Sequence, residues 1–464
     1  MRHRAGTRSW TGRGLLAAVG LALTLSACAE GPTLQNPFGG SQAANPPAPG
    51  SPQPVQPLLA PPAPVLTPPP AAPGDQVVLT PPPGSDEPKV ALLLPLTGRD
   101  AALGQQLQEA AELALFDVAD EHFTLLPLDT GGTASGARAA AEQALAEGAR
   151  LILGPLFGPE AQAVAPLARE AKVNVVTFSN DQSVAGDGVF VFGFLPRQQV
   201  ERIVAYAASK GTKRFALLAP RGGFGDTVAD ELQKAARANR AQVVRSEIYD
   251  ASATDLTPTV RRFAEFDRRA AALAAERRLY EGKTDEVSRQ ALQRLAGLQG
   301  LGDLGFDAVL VPEGGDRLKA LAPLLPVYDI DTKTVRLLGT VLWDDPALAA
   351  EPSLRGAWFA APPPEARSDF QASYEKAFRR KPPRLATLAY DMVALAAVLA
   401  KLEGKPDFSQ RMLTQPTGFT GVDGLFRLLP DGRSERGYAI LEIGDKQRRV
   451  IDPAPEGFAA PLTN

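Results

Sequence analysis

The sequence predicts an α/β protein in two doubly wound, parallel-sheet lobes, carried behind a leader and a long proline-rich stretch. Three observations predict it. From Lys89 onward, short and almost wholly apolar runs alternate with segments whose apolar residues recur at helical spacing. The apolar runs lack the every-second-residue polarity of a half-exposed sheet, so they read as parallel strands covered on both faces. The alternation continues to about residue 195 and then restarts, which implies two lobes.

The first lobe opens on KVALLLPL (89–96), a strand, then the loop Thr97-Gly98-Arg99-Asp100 and a helix in GQQLQEAAELALFDVA (104–119). FTLLPLDT (123–130) is a second strand, GARAAAEQALAEG (136–148) a second helix and ARLILGPL (149–156) a third strand. GPEAQAVAPLAREA (158–171) gives a third helix starting at Pro159, whose missing N–H is harmless in a first turn. NVVTFSND (174–181) is a fourth strand. After Phe194 come the helix QQVERIVAYAASKG (198–211), the strand RFALLAP (214–220), the loop RGGFGD (221–226) and the helix TVADELQKAARANR (227–240). The strand AQVVRSEIYD (241–250) follows, and later FDAVLVPEG (306–314), the helix LKALAPLLPVYDI (318–330) and the strand VRLLGTVLWDD (335–345).

Ahead of this body lies different material. Residues 1–14 carry Arg2, Arg4, Arg8 and Arg13 and no acid, and LLAAVGLALTL (15–25) is too short to span a bilayer, which takes ~20 residues. A basic head, a short apolar run and small residues mark an export signal. Leu25-Ser26-Ala27-Cys28 resembles the bacterial lipobox, so residues 1–27 are expected to be a signal peptide and Cys28, the chain's one cysteine, a lipid-bearing residue. Acyl chains contribute ~0.8 kcal/mol per buried CH₂, enough for a stable anchor when there are several. The alternative is a chance cysteine after an ordinary signal. Residues 28–88 hold 19 of the 43 prolines with almost no charge, a composition that stays extended and polyproline-like. Sixty such residues reach on the order of 150–190 Å if stiff. That length serves either to carry the head across the cell-wall mesh or merely to lift it off the lipid. Ala29 stands where an inner-membrane retention signal places Asp, so an outer-membrane, periplasm-facing, lipid-anchored location is expected.

Composition excludes several classes. With one cysteine no intramolecular disulfide can form, and the core alone must hold the fold. A formal charge of −3 and the lack of a basic block argue against nucleic acid. His3 and His122 are the two histidines, too few for a Ser-His-Asp set or a histidine-rich metal site. PRGGFGDTVAD (220–230) lacks the GK[ST] ending of a phosphate loop. No enzyme activity, metal or cofactor is expected.

Three segments carry a resemblance. VALLLPLTGRDAALGQQLQEAAELAL (90–115), LATLAYDMVALAAVLAK (385–401) with its Tyr390-Asp391 pair, and GFTGVDGLFRLLPDGRSERGYAILEI (418–443) resemble, in order, the opening, late helix and closing motif of type I periplasmic binding proteins of the leucine/isoleucine/valine-binding branch. The resemblance implies two lobes joined by three hinge crossings, near Leu195, Ala361 and Leu429. Lobe one then takes 89–195 and 362–428, and lobe two 196–361 and 429–455. It also implies a small-ligand cleft between the lobes at the carboxyl ends of the strands, where helix N-termini point. Carried over, the ligand-cleft candidates are Thr97, Gly154, Phe157, Thr177, Ser179, Asn180, Phe224, Trp343 and Asp344. The match is incomplete: Phe157, Gly158 and Pro159 stand where the family offers a hydroxyl for a ligand carboxylate. Ser179-Asn180 is also how a turn or cap begins, and Asp344-Asp345 before Pro346 also reads as an acidic turn.

Some forty residues of Ala-, Arg- and Glu-rich sequence (near 264–300) intervene where the family has one short helix. They read either as a surface insertion or as a docking element, with Arg268, Arg269, Arg277, Arg278 and Arg289 on its exposed face. Lipobox, tether, altered cleft and insertion, with GTVLWDDP (339–346) and GAWFAAPPP (356–364), resemble the penicillin-binding protein activator lipoproteins. That implies a non-enzymatic regulator contacting a peptidoglycan synthase. The alternative is the substrate-binding lipoprotein of an amino-acid or amide uptake system.

Overall fold

Two β-sheets, each faced by helices on both sides, organise the residues described by the computed structural model, namely 88–120, 123–401 and 406–458. The expected signal peptide (1–27), Cys28, the proline-rich stretch through residue 87 and His122 lie outside the described residues.

The first sheet is built from β1 (Lys89–Leu94), α1 (Ala101–Val118), β2 (Thr124–Asp129), α2 (Ala134–Ala146), β3 (Ala149–Leu153), α3 (Gly158–Ala171), β4 (Asn174–Thr177) and β5 (Val189–Val191). Its order is β2-β1-β3-β4-β5, all parallel. Side chains alternate across a strand, and β1 uses both faces. Ala91 and Leu93 join the alanine-rich cluster of α2 and α3, while Val90, Leu92 and Leu94 join that of α1 and α12 (Ala386–Ala400).

After Val191 the chain crosses to α4 (Pro196–Ser209), β6 (Arg214–Pro220), α5 (Gly223–Ala238) and β7 (Gln242–Tyr249). Then follow α6 (Thr257–Phe263), α7 (Phe266–Tyr280), α8 (Glu286–Ala296), β8 (Ala308–Leu310), α9 (Gly315–Leu321), α10 (Leu324–Val327), β9 (Arg336–Gly339) and β10 (Trp358–Ala361). From β10 it returns to α11 (Ser368–Phe378), to α12, which packs on α1, and to α13 (Gln410–Leu413). The hairpin strands β11 (Phe419–Gly421), β12 (Gly424–Leu428) and β13 (Ser434–Arg436) form a small antiparallel sheet. β14 (Ala439–Ile443) and β15 (Arg448–Asp452) then join the second sheet, whose order is β15-β14-β10-β9-β8-β6-β7. This is the α/β fold of a type I periplasmic binding protein: parallel from β7 to β10, with two antiparallel strands on one edge.

Local differences from the sequence reading have local causes. The loop RGGFGD is largely the first turn of α5, because Gly223 to Asp226 already adopt helix. The single helix expected over 318–330 breaks between α9 and α10 at Ala322-Pro323, where proline removes a donor. The strand expected through Asp345 stops at Gly339, since the Thr340 hydroxyl accepts from the Leu342 N–H and starts a 3₁₀ turn. β7 alternates exposed and covered residues because it is a sheet edge.

Gly339 shows how tightly the second sheet is filled. A Cβ there would lie 2.2 Å from the indole of Trp343, which is fully buried and donates from Nε1 to the Val311 carbonyl at 3.1 Å. Gly339→Ala should therefore lower the unfolding free energy by about 1–3 kcal/mol through overpacking, read as a reduced urea midpoint. An unchanged midpoint would show that the indole can move aside freely.

Candidate functional site

The carboxyl ends of the strands in both sheets face one cleft of about 800 Å³. Leu156 and Phe157 reach it from the β3–α3 turn, Phe178, Ser179 and Asn180 from the loop after β4, and Phe194 from the first crossing. The second sheet contributes Phe224 in the first turn of α5, Gly315 at the start of α9, and Val341, Leu342, Asp344 and Asp345 after β9. The segment returning from β10 closes one side with Arg367, Phe370, Gln371, Lys381, Arg384 and Leu385.

The turns holding these groups are fixed by buried hydrogen bonds. Glu160, on α3, accepts from the Phe157 N–H at 3.0 Å and from the Thr130 hydroxyl at 2.5 Å. Burial raises its pKa despite those bonds. Asp181 accepts from the Ser183 N–H and from the Gln162 side chain, both at 3.0 Å, which shapes the exit of the β4 loop.

Of the nine cleft candidates, Phe157, Ser179, Asn180, Phe224 and Asp344 line it together. The other four do not, each for a packing reason. The Thr97 hydroxyl donates to Asp129 at 2.6 Å, and the Leu96, Thr97 and Gly131 N–H groups donate to the same carboxylate. Burial opposes ionisation of Asp129, but these bonds outweigh it and hold its pKa low. Gly154 has φ +84°, and a Cβ there would lie 2.2 Å from the Leu93 carbonyl oxygen, so it is a close approach to β1. Thr177 is fully buried and its hydroxyl donates to the Pro155 carbonyl at 2.7 Å. Trp343 belongs to the core beneath the cleft.

Asp344 is the centre of an ion network. Its Oδ2 lies 2.7 Å from Arg367 Nη1 and 3.2 Å from Arg384 Nε, and its Oδ1 accepts from Arg448. Arg384 continues to Asp423 at 3.0 Å, and Asp423 also accepts from the Thr387 hydroxyl at 2.5 Å. Beyond it, Asp391 accepts from the Val422 N–H at 2.8 Å and lies 4.0 Å from Arg436. Burial and the adjacent Asp423 carboxylate push Asp391 above the ordinary carboxylate range. Asp423 is held below it: burial opposes charge, yet Arg384 and Arg436 prevail. Sequence reasoning placed Asp344 but missed Arg367 and Arg384. Neither sits in a motif, and their partners are 23 to 40 positions away.

The insertion forms α7 and α8, turning at Glu281-Gly282 as the sequence indicates. Arg268, Arg278 and Arg289 are exposed. Arg269, expected on the exposed face, is 5% exposed and pairs with Asp329 at 2.8 Å, pinning α7 to the lobe. Arg277 is half-buried and donates to the carbonyls of Leu295 and Leu298, closing the end of α8. A helix packed on a lobe turns some of its cations inward to satisfy carbonyls and acids, which composition does not reveal.

A two-lobed α/β body with a cleft at the strand ends is the architecture of the type I periplasmic binding protein fold. Residues 87–275 match the model of the periplasmic binding protein family, and the whole described body carries that family's type I fold. The solute-binding protein of an ABC transporter from Rhodopseudomonas palustris BisB5, solved with 3,4-dihydroxybenzoic acid, superposes with a TM-score of 0.59 at 19% identity, over 81% of this chain and 98% of that one. The branched-chain amino acid ABC transporter periplasmic ligand-binding protein of Burkholderia xenovorans LB400 gives 0.60 at 15%, over 80% and 95%. The substrate-binding protein LivJ of Streptococcus pneumoniae, solved with isoleucine, gives 0.54 at 18%, over 79% and 100%. Among curated proteins, the uncharacterized protein RP748 of Rickettsia prowazekii is 27% identical over 175 residues. The match takes in 38% of this chain, which spans about half (47%) of that relative's length.

The two neighbouring acids should behave very differently. Asp344→Ala leaves three buried or half-buried guanidinium groups without their carboxylate and should cost about 3–5 kcal/mol in a denaturant titration. Asp345→Asn keeps the cap on the Ala347 N–H and should stay within about 0.5 kcal/mol of the parent.

Proposed function

We propose that this chain is an outer-membrane lipoprotein, anchored through Cys28, whose two-lobed head regulates a peptidoglycan synthase in the manner of the penicillin-binding protein activators. One observation carries the departure from nutrient capture. Asp344, the acid positioned to receive a ligand ammonium, already has both oxygens bound to arginines. The hydroxyls of Thr97 and Thr177, which could have cradled a ligand carboxylate, are bound to Asp129 and Pro155. Asp344, Thr97 and Thr177 are satisfied by the protein itself, which leaves Ser179 and Asn180 as the polar candidates in the cleft lining.

The contact surface in this reading is the outer side of α7 and α8. Arg268, Arg278 and Arg289 are exposed on these helices, Arg268 paired with Glu265 and Arg289 with Glu286, and Leu279 (59% exposed), Val287 (70%) and Leu298 (44%) are exposed in the same stretch of chain. Cations beside exposed aliphatic groups are the composition of an interface centre with a charged rim. The proline-rich tether supplies the reach from one membrane to an enzyme seated in the other.

The second reading is an uptake receptor. It is supported by the intact cleft and by the solved neighbours, which are ABC-transporter proteins with small ligands. It requires the lobes to close on a ligand.

Two measurements on the full-length protein separate them. Cys28→Ser should move the chain from the membrane to the soluble fraction. Arg278→Glu combined with Val287→Asp should reduce synthase recovered in a pull-down about tenfold, as expected for loss of an interface centre. Equal recovery by the double variant, with leucine raising the melting temperature, would reverse the order of the two readings.

A further inference from the structure

The cleft has walls of one chemistry and free polar groups of another. Phe157, Phe178, Phe194, Phe224 and Phe370 line it, with leucines and prolines between them. Its lining residues include three cations, Arg367, Lys381 and Arg384, and three carboxylates, Asp344, Asp345 and Glu375. Arg367 and Arg384 are bound to Asp344, Arg384 also to Asp423, and Asp345 caps the turn at Ala347. Lys381 and Glu375 are exposed, one cation and one anion. Asn180 and Gln371 are different: among the described residues, neither carboxamide has a hydrogen-bond partner.

We infer that the cleft takes an uncharged aromatic amide, its ring against the phenylalanine walls and its amide exchanging hydrogen bonds with Asn180 and Gln371. The inference rests on the cleft alone, so it holds whether the occupant is an effector or a cargo. A carboxamide offers both a donor and an acceptor, which matches another amide and leaves a bare carboxylate or ammonium half-served. A charged ligand would lose water on entry and find the buried Arg367 and Asp344 and the half-buried Arg384 paired with one another, leaving the solvent-exposed Lys381 and Glu375 as its counter-charges. Aromatic ligands gain both buried area and edge-to-face contact from such walls. The volume is within the roughly 300–1,000 Å³ range of small-molecule sites.

Three probes with one ring and different charge decide the matter: N-acetyl-L-phenylalaninamide (neutral), N-acetyl-L-phenylalanine (anionic) and L-phenylalanine (zwitterionic). Calorimetric titration into the full-length protein in detergent should show the neutral diamide binding at least about tenfold more tightly than either charged form, the scale of one unpaired polar group. Asn180 is exposed and without a partner, so Asn180→Ala should leave the melting temperature unchanged and weaken the diamide about fivefold, the scale of one neutral hydrogen bond. Phe224→Ala should weaken all three probes. A charged probe binding as well as the diamide overturns the inference. So does the absence of saturable diamide binding, or diamide affinity untouched by both substitutions.

Discussion

Asp344 is where the described structure is keyed together. A carboxylate removed from water is costly unless it is paired, and this one is paired by arginines from three separate places in the chain. Arg367 follows the return from β10, Arg384 precedes α12, and Arg448 lies on β15, while Asp344 itself hangs from the end of β9. The guanidinium fork is planar and directional, so three of them on one carboxylate define an angle as well as a distance. The net stabilisation from such a network is small compared with an apolar core of equal volume. Its effect is geometric: the segment that leaves β10 for the first sheet, through Arg367 and Arg384, and the edge strand β15, through Arg448, are tied to the end of β9.

The same pairing shapes the chemistry above it. In a cleft built for an amino acid, an acid and a set of hydroxyls must face the opening without internal partners. Here the acid is bound by arginines, and two candidate hydroxyls donate within the protein, Thr97 to the Asp129 carboxylate and Thr177 to the Pro155 carbonyl in the β3–α3 turn. The rest of the lining includes five phenylalanines, the Asn180 and Gln371 carboxamides, Ser179 and the exposed Lys381 and Glu375.

Much of the fold was legible because parallel strands covered on both faces leave an unambiguous trace: KVALLL, ARLIL and RFALLAP can hardly be anything else. The site was legible in part. Phe157, Ser179, Asn180 and Phe224 line the cleft because each follows a strand at its carboxyl end. Thr97, Thr177 and Trp343 do not line it, because position after a strand does not say which way a side chain points, and Gly154 is taken up by its close approach to β1. Arg269 was misjudged because its partner, Asp329, is 60 residues away. The closing motif GFTGVDG also acquires a physical meaning absent from its letters. A Cβ at Gly421 would lie 2.4 Å from the Asp391 carboxylate, and the next N–H, of Val422, donates to it, so the glycine is there to admit the acid.

The buried network is not electrically even. Arg367, Arg384, Arg436 and Arg448 face only Asp344, Asp391 and Asp423, and Asp391 resists ionisation. Aromatic faces make up part of the difference. Arg384 lies over the Phe194 ring at 4.3 Å, and Arg436 over Phe192 at 4.0 Å and Phe194 at 5.0 Å. A ring quadrupole attracts a cation most where water is excluded, as it is around Arg436. Phe194 therefore belongs to two systems, as a partner of both guanidinium groups and as a wall of the cleft in the first crossing.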